Sequence, residues 1–156
     1  MNETIEVREA TLLDLPVILH QRRQMFHDMG LVDPAALDAM DATAEPFFRR
    51  ALSDASYRGW LAVETNGRVV AGGGIWLAPW PPHPRSPIPV RPFILNMFTE
   101  PEYRKRGLAR RVMEVIMDWC RTQGFGWVSL HASEQGRPLY ASLGFELGNE
   151  MRIHLK

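Results

Sequence analysis

A single cysteine, Cys120, stands among 156 residues, so no disulfide forms within the chain and a cysteine-based zinc site is implausible. Net charge is also missing: 18 Lys and Arg balance 18 Asp and Glu. That balance points neither to nucleic acid nor to an anionic membrane surface as a partner. No apolar run approaches the roughly 20 residues of a membrane span. The opening Met-Asn-Glu-Thr-Ile-Glu lacks the basic-then-apolar layout of a secretory signal. A cytoplasmic protein is the expectation. A hydrophobic fraction of 46% with 23% charged residues is enough to bury one core. With no internal repeat and no linker, residues 1–156 read as one domain.

Ile5 and Val7 alternate with polar neighbours, the period of a half-buried strand. Thr11 and Asp14 are both N-cap candidates for a helix that ends near Gly30, with Pro16 in its first turn. A second helix is predicted over 34–52, capped by Asp33 and kinked or divided at Pro46. Residues 60–64 and 68–77 are β-rich and flank Asn66-Gly67, the strongest short hairpin signal. Gly72-Gly73-Gly74 inside the second strand suggests a bulge or a close approach by another group. Residues 79–92 carry too many prolines for a helix or a central strand and read as a stiff, extended loop. Residues 93–99 are almost wholly apolar, the pattern of a strand buried on both faces. The strongest amphipathic helix runs from Gly107 to Gln123 and stops at Gly124. A strand over 127–132, a short helix over 136–143 and a last strand over 151–155 complete the order β-α-α-β-β-β-α-β-α-β. This is an α/β chain with a mixed sheet and helices on its faces.

The chemically informative stretch is Tyr103-Arg-Lys-Arg-Gly-Leu-Ala-Arg-Arg111, between the apolar strand and the amphipathic helix. Free N–H groups at a helix N-terminus, with the positive end of its dipole, form an anion site. Gly107 admits a phosphate without a Cβ in the way, and Ala109 presents only a small one. Arg104, Lys105 and Arg106 add charge at the same point. The pattern describes a pyrophosphate cradle. It is neither a Walker P-loop, which needs Gly-Lys-Ser/Thr, nor a dinucleotide fingerprint.

Arg104-Lys-Arg-Gly107-Leu-Ala109 resembles the Arg/Gln-x-x-Gly-x-Gly/Ala signature of the GNAT superfamily of N-acetyltransferases. Leu139-Tyr-Ala-Ser-Leu-Gly-Phe145 is similar to that family's second motif, and Val7-Arg-Glu-Ala-Thr-x-x-Asp14-Leu-Pro to its first strand and helix. The three matches occur in order across nearly the whole chain. The resemblance implies a mostly antiparallel sheet splayed between its fourth and fifth strands, helices on both faces, and acetyl-CoA as co-substrate without a metal. It implies direct attack of an amine on the thioester through a tetrahedral intermediate. Backbone groups of Met97, Phe98 and Thr99 would pair with the pantetheine arm and the acetyl carbonyl. N–H groups from Arg106 through Leu108 and Ala109 to Arg110 would hold the pyrophosphate. Ser133 stands where the family often has an Asn that touches the coenzyme, and Arg137 is near enough in sequence to reach the coenzyme's phosphates or an acidic acceptor. Tyr140 matches the tyrosine that protonates the departing thiolate. A phenol of pKa about 10 is a reasonable donor to a thiolate whose thiol pKa is about 8.5.

The general base is less determined. Residues 93–98 hold no carboxylate, which leaves His131, a histidine suited to neutral pH, or a water relay. His131 reads more readily as an ordinary strand residue or a pocket wall than as the base. Cys120 reads as packing on the apolar helix face. Residues 25–34 and 79–92, with Trp76, Trp80 and His83, are the expected acceptor walls, although the aromatics can equally serve loop packing. A small-molecule amine is favoured over a protein acceptor, and a homodimer is a further expectation. A coenzyme A-binding regulatory module without catalysis is the rival reading.

Overall fold

The structure, a computed structural model, describes residues 4–155. The chain's first three residues and Lys156, included in the single-domain reading, lie outside them. Strand β1 (Ile5–Glu9) leads through a 3-10 turn at 12–14 into α1 (Leu15–Asp28) and α2 (Pro34–Ser53). Strands β2 (Tyr57–Glu64), β3 (Val69–Pro79) and β4 (Val90–Thr99) follow, then α3 (Leu108–Thr122), β5 (Ser129–Leu130) and α4 (Arg137–Ser142).

Thr11 caps the 3-10 turn, with Asp14 as the third residue of its capping box, and Asp14 in turn holds the N-cap position of α1 without a side-chain bond to it. Thr11 Oγ1 accepts from the Leu13 amide at 3.3 Å, and Asp14 Oδ2 accepts from the Thr11 amide at 2.8 Å, a reciprocal capping box. Arg8 grips Asp14 at 2.8 and 2.9 Å, which holds that carboxyl below its ordinary pKa. Asp33 caps α2 through the Ala35 amide at 3.3 Å. Pro46 does not divide that helix. Leu37, Ala44, Phe48 and Ala51 are buried on both sides of the proline, and their packing offsets the one missing backbone bond.

The sheet runs in order β1-β2-β3-β4-β5, with the first three pairings antiparallel and β4–β5 parallel. The hairpin turns at Asn66-Gly67, where Gly67 has φ +89° and Asn66 Oδ1 accepts from the Arg68 amide at 2.8 Å. The Pro-rich loop is shorter than predicted, because β3 reaches Pro79 and β4 begins at Val90, so Pro92 lies within a strand. It is tolerated because its partner Leu77 directs its own N–H away, to Ser56 O at 2.7 Å. The Leu77–Pro92 pair therefore needs no donor from the proline.

Two cores flank the sheet. Val112, Met113 and Ile116 of α3 pack with Trp60, Ala62, Ala71, Ile75 and Ile94. On the other face, Leu15 and Ile18 of α1 and Ala44, Phe48 and Ala51 of α2 enclose Tyr57. Alternating strand residues thus feed opposite helix layers.

The C-terminal expectations need correction. The strand predicted over 127–132 shrinks to Ser129–Leu130, and 151–155 forms no strand. Met151, Ile153 and Leu155 are 94%, 79% and 86% exposed. A period-2 pattern makes a strand only when a sheet edge lies alongside, and among the described residues 151–155 meets none.

The glycines of β3 answer to close approaches. A Cβ on Gly73 would run into the Met97 sulfur, and one on Gly74 into the Tyr57 hydroxyl, at 2.7 Å from Arg58 O. Gly74→Ala is therefore expected to destabilise by about 1–3 kcal/mol, the usual penalty of overpacking. Urea denaturation monitored by tryptophan fluorescence should show a lower midpoint, and an unchanged midpoint would contradict the close packing of Tyr57.

Candidate active site

Strand β4 is paired to β3 over its length, with an irregularity opposite Gly73, where Leu95 faces Gly74 and Phe98 faces Gly72. Two residues, Asn96 and Met97, thus oppose one glycine, a β-bulge with Asn96 at φ +61°. On the other side, β5 pairs only with Phe93 and Ile94. From Leu95 to Thr99 that edge of β4 has no strand partner among the described residues. A cleft of about 1420 Å³ opens there. Ordinary ligand pockets span roughly 300–1,000 Å³, so this one has room for two substrates end to end.

One end of the cleft is the start of α3. Lys105 at φ +61° and Gly107 at φ +77° turn the chain sharply, and Gly107 becomes the N-cap residue with no side-chain cap bond. The first helical amides after it have no intrahelical acceptor. A Cβ at Gly107 would meet nothing within 4 Å, so the space above these amides is open. Lys105, Gly107, Leu108, Ala109 and Arg110 line the cleft, while Arg106 does not and stacks over Tyr103 at 4.9 Å. Arg104 lines it too, but its guanidinium is engaged by Asp28 Oδ2 at 2.6 Å and by Thr99 O at 2.9 Å. Arg110 donates to Ser142 Oγ at 2.5 Å, which ties α3 to α4.

Tyr140 reaches the cleft from α4, its ring edge-on to Phe145 at 5.9 Å. Burial pushes its phenol pKa up, so the group stays protonated at neutral pH. Ser133 sits at the start of this helix, where its Oγ accepts from the Gly136 amide at 3.1 Å. Arg137 lies outside the cleft lining and faces Glu134 at 3.8 Å. His131 stands at the opposite wall, packed edge-on against Phe93 at 4.8 Å with Nε2 3.3 Å from Glu150 Oε1. Glu150 also receives Arg91 at 2.9 Å, and the hydrogen bond from Arg91, then that from His131, holds its carboxyl below the ordinary value.

The far end is walled by α1, α2 and the β3–β4 connection. Met25, Phe26 and Met29 line it, as do Pro79, Trp80 and Arg91, within the two stretches predicted as acceptor walls. Leu31 and Val32 are exposed instead, and His83 closes a small turn with Ser86. The sequence reading missed Met40, Thr43 and Phe47 of α2, which share this wall. It also missed Arg22 and Asn96. The one signal for Asn96 was a lone amide in an otherwise apolar strand.

Cys120 is 3% exposed on the core side of α3, and burial lifts its thiol pKa to about 11. A group so placed is not a nucleophile. Iodoacetamide at pH 8 should leave Cys120 unmodified in the folded protein and label it fully in urea, as read by intact mass. Rapid labelling of the native chain would refute this placement.

The sequence profile described as the Acetyltransferase (GNAT) family matches residues 23–145. Among solved structures, the chain is similar to a GCN5-related N-acetyltransferase from Ralstonia eutropha JMP134, with 33% identity and a TM-score of 0.90 over 97% of this chain and 99% of that one. It is also similar to a predicted acetyltransferase from Clostridium acetobutylicum, solved with acetyl-CoA, with 25% identity and a TM-score of 0.87 over 98% and 96%. An aminoglycoside N-acetyltransferase in complex with CoA shares the fold at 16% identity, with a TM-score of 0.69 over 100% and 97%. No curated protein matches the sequence.

Proposed function

The chain belongs to the Acetyltransferase (GNAT) family, and on that premise we propose that it moves the acetyl group of acetyl-CoA onto the amine of a small molecule. The observation that carries the reading is one continuous cleft joining an open helix N-terminus, an unpaired strand edge and a protonated phenol. Acetyl-CoA supplies an activated acyl thioester, and the chain's own groups do the rest. The amides that open α3, with Lys105 beside them, suit a diphosphate. The free edge of β4 from Leu95 to Thr99 offers backbone donors and acceptors in the spacing of a strand, which suits an amide-bearing arm in the manner of β-augmentation. Amides on this edge also suit a carbonyl oxygen that gains negative charge.

In this reading a neutral amine adds to the acetyl carbon, forming an N–C bond and a tetrahedral intermediate whose collapse breaks the C–S bond. The surplus proton on nitrogen leaves to His131, held by Glu150, or through water. The departing thiolate takes the proton of Tyr140. A phenol with no hydrogen-bond acceptor among the described residues, kept neutral by burial, is available for that transfer. The walls beyond the bulge, from α1, α2 and Trp76, enclose a space suited to a small acceptor.

Acetyl-CoA should raise the melting temperature by mass action, about 2.7 kcal/mol of stabilisation at a hundredfold excess over the dissociation constant. Absence of any shift would remove the coenzyme from the reading. Tyr140→Phe should lower kcat by about 100-fold or more, the ordinary worth of a general acid, with little change in coenzyme affinity. Thiol release across an amine panel, with calorimetry of coenzyme binding, separates the two effects. Equal turnover in the variant would strip Tyr140 of its role.

A further inference from the structure

Arg22 lines the cleft and has no carboxylate partner among the described residues. On α1 it lies half-buried, its guanidinium 4.9 Å from the Phe26 ring and 5.4 Å from the Phe48 ring. Nη1 donates to Asn96 Oδ1 at 2.8 Å, and Asn96 Nδ2 donates onward to the Tyr57 hydroxyl at 3.1 Å. The buried Nε has no partner, and Nη2 forms no hydrogen bond to any described residue. The neighbours from every packed element are neutral: Phe26 on α1, Phe48 on α2, Tyr57 on β2 and Asn96 on β4.

The nearby carboxylates pair with other cations, although Asp41 Oδ1 is itself buried without a partner. Asp28 takes Arg104, Glu150 takes Arg91, and Asp41 takes Arg23 at 2.5 Å. Taking a guanidinium out of water without a counter-ion costs several kcal/mol, and here that loss depresses its pKa, although the Tyr57 phenol opposes the effect. A neutral amide would serve as well as a donor to Asn96, so holding the bulge does not account for an arginine. The missing partner is an anion that arrives with a substrate. The diphosphate end of the cleft lies beyond Arg104, whereas Arg22 meets β4 at the bulge itself, where its edge becomes free.

Resting on the acetyl-transfer reading, we infer that the acceptor carries a carboxylate as well as its amine, as an amino acid does, and that Nη2 of Arg22 receives it. A guanidinium N–H of this kind gives a carboxylate oxygen a charge-assisted hydrogen bond. Met25, Phe47 and Trp76 line the same end, so the body of the acceptor is apolar. Acceptors that bear only positive charge, such as polyamines, are disfavoured by the same guanidinium.

The test uses the full-length protein with acetyl-CoA and matched sets of apolar amino acids, their carboxamides, their decarboxylated amines and their aminophosphonate analogues. Thiol release gives kcat/KM for each. The carboxylates should exceed the neutral amines by about 10- to 100-fold, the worth of hydrogen bonds to a charged group. The ratio should collapse in Arg22→Gln and recover in part in Arg22→Lys. Asn96→Asp keeps the arginine but gives it an internal carboxylate, and should erase the preference as well. Asp tolerates the left-handed backbone there, and circular dichroism with melting curves confirms that each variant folds.

Equal use of acids and carboxamides, or a preference that survives Arg22→Gln and Asn96→Asp, overturns the inference while leaving acetyl transfer intact. A preference for the phosphonates would show the same anion recognised in a different group and overturns the carboxylate assignment. Should no amine be acetylated, the acetyl-transfer reading fails instead. Calorimetry of the same acids with the coenzyme A-loaded protein then decides this inference: Arg22-dependent binding of carboxylates sustains it, and none refutes it.

Discussion

Strand β4 keeps its hydrogen bonds to β3 but has β5 beside it only at Phe93 and Ile94, and the edge left free from Leu95 to Thr99 is the constraint on which the rest of the structure depends. Unpaired strand amides and carbonyls are sticky, and proteins ordinarily cover them. Here they open into a cleft instead. The bulge at Asn96 and Met97 strengthens the local twist, and the glycine opposite leaves room for the Met97 side chain. An edge of this kind is useful only if it is rigid. The two cores pressing on opposite faces of β2, β3 and β4 provide that rigidity, since α3 buries Val112, Met113 and Ile116 on one side and α1 and α2 bury Ile18 and Phe48 on the other.

The electrostatic layout follows from the same geometry. The chain leaves β4 at Thr99, makes a short turn, and starts α3 at Gly107, so the positive end of that helix lies beside the end of the free edge. Arg104 is drawn back to the Thr99 carbonyl and to Asp28 of α1, an arrangement that joins the helix layer to the strand end. Its charge is therefore spent in these contacts, and Lys105 and the first residues of α3 are left facing the cleft. Tyr140 projects into the cleft from α4, and the apolar surroundings that raise its pKa also keep it in the proton-bearing form.

The polar chain Arg22–Asn96–Tyr57 runs through the apolar layer between α1, α2 and the sheet. Burial lifts the Tyr57 phenol to about 12, so it stays neutral and does not compensate the guanidinium. Interior polar groups are normally fully satisfied. The incomplete satisfaction of Arg22, on a cleft wall and next to a strand bulge, is the local inconsistency that sites for ligands tend to show.

Local signals alone determined a good deal. Thr11, Asp14 and Asp33 marked helix starts because capping is a contact within three residues, and Asn66-Gly67 fixed a hairpin because only certain backbones suit that turn. The basic glycine turn marked the start of α3 as a segment to expect an anion at, because free amides and a missing Cβ are properties of one short segment. Tertiary structure decided everything that needs a neighbour. Whether 151–155 becomes a strand depends on an edge to pair with, and the alternation of Met151, Ile153 and Leu155 does not provide one. Pro92 could join β4 only because Leu77 points its amide elsewhere. Nothing in the sequence singled out Arg22, and only the packing of α1 and α2 over β4 half-buried it and set it against Asn96 without a counter-ion, because desolvation is a property of the assembled fold and not of a sequence position.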